Sequence, residues 1–86
     1  MMTVFEVYLA KGSSGADLLS AEVLRETGAQ VMTLKEAELV GFQGLDPLEN
    51  SGDVRLIAVR ERDAPWIHRC LETSGAVASF RAHQVE

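Results

Sequence analysis

Four side chains in this chain of 86 residues carry groups whose types suit joint chemistry: Glu6 and Tyr8 near the start, Arg81 and His83 near the end. Histidine changes charge near neutral pH, and a carboxylate beside it can hold the ring ready for proton transfer. In that reading His83 and Tyr8 are the candidate catalytic pair, and Glu6, Tyr8, Arg81 and His83 together are the candidate binding residues. The competing reading is structural, because neighbouring strands present such polar pairs for solubility alone.

Two further groupings invite chemistry and are read as structure. His68 and Cys70, with His83 as a third ligand, suggest a metal. Residues two apart on a helix point to different sides, however, whereas helical metal sites use spacings such as i, i+4. The chain holds no second cysteine. No metal and no cofactor are expected, and Cys70 reads as a small buried hydrophobe. Gly12-Ser13-Ser14-Gly15 precedes a helix and could hold an anion on its amides. It matches neither the phosphate-loop nor the dinucleotide glycine pattern, so helix capping is the expected role.

Strands and helices must position these groups. Val4 to Ala10 is rich in β-branched and aromatic residues and reads as a strand, with Phe5, Val7 and Leu9 on its core face. Ser13 or Ser14 then caps a helix, Ser14-x-x-Asp17 resembling a capping box. Ala16, Leu19, Ser20, Val23, Leu24 and Thr27 form its buried stripe, Leu18 lies opposite, and Gly28 ends it. Gln30 to Phe42 is read as one irregular strand, with a helical turn at Ala37 to Phe42 as the alternative. Gly44 to Gly52 is a turn-rich loop. Val54 to Glu61 is a third strand. Asp63 caps a second helix with Pro65 in its first turn. Ile67, Cys70, Leu71 and Ser74 line that helix's buried face, and Trp66 shields its edge. Ala76 to Val85 is the last strand. Leu24 to Ala29 and Leu71 to Ala76 share the pattern L-x-x-[T/S]-G-A, each with a glycine suited to a left-handed helix end.

The order strand–helix–strand–strand–helix–strand, in two βαβ-type halves, resembles the ferredoxin-like fold across nearly the whole chain. The resemblance implies one α+β domain over residues 1–86: a four-stranded antiparallel sheet, its first and third strands central, with two helices on one face. The other face would lie open and carry Val4, Glu6, Tyr8, Val77, Ser79, Arg81, His83 and Val85. On the third strand, Val54/Leu56/Ala58 and Arg55/Ile57/Val59 remain equal candidates for that face. Several families with this fold are excluded residue by residue. Copper-chaperone-like domains need C-x-x-C. RNA-recognition motifs need aromatics on the third strand, which Val54 to Val59 lacks. Acylphosphatases need an arginine in the loop that here reads Lys11 to Gly15. The remaining likeness is to small amino-acid-sensing domains and dimeric α+β barrels, both of which work as oligomers.

Charge narrows the partners. Thirteen acidic against eight basic residues leave a formal charge of −5, which disfavours nucleic acid and anionic membrane surfaces. One cysteine allows no internal disulfide, and no apolar run approaches membrane-spanning length. The expectation is a cytoplasmic binding module. It would form a homodimer through its open sheet face or an edge, holding a partner protein or small ligand. The alternative is a dimeric α+β-barrel enzyme using His83 and Tyr8 for proton transfer.

Overall fold

The computed structural model describes residues 1–39 and 54–85. Its four strands are β1 (Met2–Leu9), β2 (Gln30–Thr33), β3 (Val54–Arg60) and β4 (Val77–Val85). They form one sheet in the order β2-β3-β1-β4, with every neighbouring pair antiparallel. The helices are α1 (Ala21–Thr27), α2 (Leu34–Leu39) and α3 (Ala64–Thr73). The described residues are thus α+β, built on a four-stranded antiparallel sheet. Among the described residues no helix is long and apolar enough to cross a membrane.

Both central strands are buried on both faces, which explains their nearly unbroken apolar sequence. On one face Phe5, Val7, Leu9, Ile57 and Val59 pack with Leu18 and Leu19, and with Ile67 and Leu71 of α3. On the other, Val4, Leu56 and Ala58 pack with Met32 and with Ala37 of α2. The choice between the two residue sets of the third strand therefore dissolves, since each set supplies one core. Fully burying an aliphatic or aromatic side chain stabilises by about 1.5–3 kcal/mol, so the sheet is held from two sides.

The second core overturns the expectation of an open face: Val4 is 0% exposed and Glu6 1%. α2 contributes to this cover where a continuing irregular strand was expected, its Ala37 packing with Val4, Leu56 and Ala58. Thr33 and Glu36 form a reciprocal capping box. The Thr33 N–H donates to Glu36 Oε1 at 3.1 Å, and the Glu36 N–H donates to Thr33 Oγ1 at 3.2 Å. Two amide donors are satisfied as the chain turns from strand to helix, and Ala37 is carried onto the second face. The Thr33 amide, and then its hydroxyl, hold the Glu36 carboxyl below its ordinary pKa. The rest of the expected strand and the loop Gly44 to Gly52 lie outside the described residues.

The first helix also differs. Ser14 caps only a short 3-10 turn, Gly15–Asp17, accepting from the Ala16 N–H at 3.2 Å. Ser20 then caps α1 afresh, accepting from the Val23 N–H at 3.2 Å. Restarting the helix changes its phase. Ser20 faces solvent instead of joining the buried stripe, and Leu18, expected on the far side, is buried beside Leu19. Thr27 is buried with its hydroxyl satisfied, donating to Val23 O at 2.7 Å and accepting from the Ala29 N–H at 3.2 Å.

The two copies of L-x-x-[T/S]-G-A close their helices by different means. Gly28 sits at φ +68° with its N–H on Leu24 O, the expected left-handed cap. After α3 the cap is Ser74 in an extended conformation, its Oγ accepting from the Ala76 N–H at 3.2 Å. Gly75 has no positive φ, so the second copy uses its glycine differently. Asp63 precedes α3 but makes no side-chain cap bond; its carboxylate faces Arg60 at 3.4 Å and Arg62 at 3.8 Å. Ile67 and Leu71 are buried as expected, while Cys70 is only half-buried and Trp66 is exposed. A register shift between Tyr8 and Leu9 opposes Val77 to Leu9. Val77 therefore packs against the helix-side core, not on the opposite face where it was expected.

Candidate functional site

The pleat of β1 puts Glu6 and Tyr8 on the same face, two residues apart. β4 runs antiparallel beside it, with Arg81 directly opposite Glu6 and His83 opposite Val4. The other three candidate residues, Tyr8, Arg81 and His83, thereby converge on the Glu6 carboxylate. Tyr8 O–H donates to Glu6 Oε2. Arg81 Nη2 lies 3.2 Å and His83 Nε2 3.1 Å from Glu6 Oε1.

The Glu6 side chain is 1% exposed, whereas those of Arg81 and His83 keep 40% and 30% of their surface. An unpaired buried carboxylate would take up a proton instead of staying charged. Burial does pull the Glu6 pKa upward. The hydrogen bonds from Tyr8, Arg81 and His83, with the charge of Arg81, outweigh it and leave the carboxyl below its ordinary value. Glu6 is accordingly ionised at neutral pH and can only accept. His83 Nε2 therefore carries the hydrogen it presents to Glu6, and in the neutral ring Nδ1 is left as the acceptor. A buried anion thus fixes the tautomer and tilt of a part-exposed imidazole beside a part-exposed guanidinium. Chemically the group can present an acceptor nitrogen and a cationic fork at the sheet's β4 side. The Tyr8 hydroxyl proton is directed at Glu6.

The other candidates stand apart from this group. His68 lies on α3, its Nδ1 2.8 Å from Glu72 Oε1, with its ring against Phe80 and Phe5 at centroid distances of 5.1 and 6.5 Å. Among the described residues no three His, Cys, Asp or Glu side chains gather as a metal ion would need. In the Gly12 to Gly15 segment the Ser14 hydroxyl is turned back onto the Ala16 amide.

One feature went unread in the sequence. A groove of about 460 Å³ runs between the start of α3 and β4, bordered by Phe5, Ala64, Pro65, His68, Ala82 and Gln84. Its residues come from three separate stretches, so no local pattern marks it. Only the alternation of β4, which puts Phe80, Ala82 and Gln84 on the helix side, hinted that this flank had apolar lining.

The chain matches no protein-family model, no curated protein and no solved structure.

Proposed function

We propose that this protein is a small binding module that works as a homodimer through a sheet edge and holds a partner protein or small ligand beside the Glu6 group. In this reading the fold is ferredoxin-like, two βαβ halves giving the order β2-β3-β1-β4, with α2 as an added cover on the second face. The observation that carries the proposal is the buried Glu6 carboxylate, drawing Tyr8, Arg81 and His83 into one group next to an edge strand. Three charge-assisted or hydroxyl donors directed at one acceptor give that flank a fixed pattern of donors and acceptors, which a ligand requires of a preorganised site. Burial of Val4 and Glu6 moves the proposed contact from the sheet face to the edge. Light scattering over a dilution series tests this: a mass twice that of the chain, persisting to low concentration, is expected. A monomer throughout would refute it.

The second reading, a dimeric α+β-barrel enzyme, is favoured by one observation, the Glu6–His83 contact that orients the imidazole as a general base requires. His83→Ala would then abolish turnover while leaving ligand binding intact. In the binding module it weakens binding.

A further inference from the structure

The geometry points to a specific self-pairing: β4 joins β4 of a second copy about a two-fold axis through Ala82, so that Arg81 of each chain faces the partner's His83. This rests on the homodimer reading and gives it a strand, a register and a shared site.

Among the described residues β4 is bonded on one side only, to β1, at the end of the sheet. Edge strands are normally protected by shortness, proline, lysine or inward-pointing charge. β4 is nine residues long, V-A-S-F-R-A-H-Q-V, with neither proline, lysine nor carboxylate. Its one permanent charge, Arg81, is met by Glu6 of its own chain. The edge is therefore close to neutral although the whole chain carries −5. A strongly acidic or basic partner strand would find little to match, whereas a second copy meets no opposing carboxylate along the strand.

An antiparallel pair about an axis perpendicular to the sheet places one residue opposite itself. Three choices lie near the middle of β4. With Phe80 on the axis, the pairing runs into the irregular stretch before Ser79, where β4 loses step with β1 between Tyr8 and Leu9. With Arg81 there, two guanidinium groups stand directly opposite, which is destabilising. With Ala82 there, the paired stretch is Ser79 to Val85, all in regular register with β1. The residue on the axis is small and exposed. Arg81, a donor, then faces His83 of the partner subunit, whose Nδ1 is the acceptor in the neutral ring because its Nε2 hydrogen points to Glu6. Donor meets acceptor twice about the axis, and the two Glu6-centred groups become one continuous polar site to which each copy contributes.

Charge at the axis tests this. Ala82→Glu places two carboxylates face to face, and Ala82→Lys two ammonium groups. Each variant should stay folded by circular dichroism, since Ala82 is exposed, and should dimerise at least roughly tenfold more weakly than the unsubstituted chain, because like charges face each other across the interface. Mixing the two variants should restore a dimer containing one of each, identified by native mass spectrometry. A wild-type dimer that Ala82→Glu leaves unchanged, or no rescue on mixing, overturns the pairing while leaving the homodimer reading in place. A wild-type monomer at every concentration overturns both.

Discussion

Replacing Glu6 by glutamine removes one charge and almost no volume, and its effect can be worked out from the geometry around Oε1 and Oε2. The carboxylate accepts from Tyr8, Arg81 and His83. Breaking a fully buried pair costs about 3–5 kcal/mol, but Arg81 and His83 keep 40% and 30% of their side-chain surface. Water can therefore take over part of their solvation, and exposed pairs are worth far less. Charged hydrogen bonds contribute about 1.5–3 kcal/mol, so a loss near 2 kcal/mol is expected. For 86 residues the total stability is of order 4–13 kcal/mol, and the loss should lower the melting temperature by about 8–16 °C.

The pH dependence gives the sharper reading. Glu6 has a folded-state pKa below its ordinary value of 4.5. Its contribution is therefore fully present above that value and is lost as pH falls through the folded pKa. The gap between wild type and Glu6→Gln, followed by thermal melts in circular dichroism, should stay flat from neutral pH down to about 4.5 and then close. A gap that persists unchanged in acid would refute the claim that the ionised carboxylate is what holds the group together. A gap that is absent at neutral pH would do the same.

Five other substitutions probe the architecture. Thr33→Ala removes half of the capping box and should cost about 1 kcal/mol, with faster amide exchange at Ala37 while the β1–β3 amides stay protected. Gly28→Ala places a Cβ on a residue at φ +68° and should cost about 1–2 kcal/mol. Gly75→Ala has no positive φ to strain and no atom near its Cβ, and chemical denaturation should find it within about 0.5 kcal/mol of wild type. Leu71→Ala, in the helix-side core, should cost about 2–5 kcal/mol, whereas Trp66→Ala on the exposed flank of α3 should change the denaturation midpoint far less.

The sequence showed the sheet and its polar group better than it showed what covers them. The β-branched and aromatic content of β1 and the glycine at the end of α1 were strong local signals, and the alternation of β4 placed Arg81 and His83 on one face. The second core was harder to see, because V-F-E-V on β1 and V-R-L-I-A-V on β3 can be buried on one face or on both. Deciding needed α2, whose start is marked by Thr33-Leu34-Lys35-Glu36, a capping-box spacing set within residues of strand propensity. Leu18 was misplaced because one helix phase was carried through Ser20, where the chain begins a new helix. The groove beside His68 was marked only by the alternation of β4, since its walls meet through tertiary packing.

The pairing of β1 with β4 also has a consequence for how the chain is made. Met2 stands opposite Val85, so β1 finds one of its two neighbours only when β4, far behind it in the sequence, has emerged. Until then Glu6 has Tyr8 beside it but neither Arg81 nor His83, and a carboxylate without them resists burial. The β1–β4 pairing thus needs contacts between residues far apart in the sequence. Such long-range closure is slow, so a nascent chain stalled before β4 would expose its apolar first strand to chaperones.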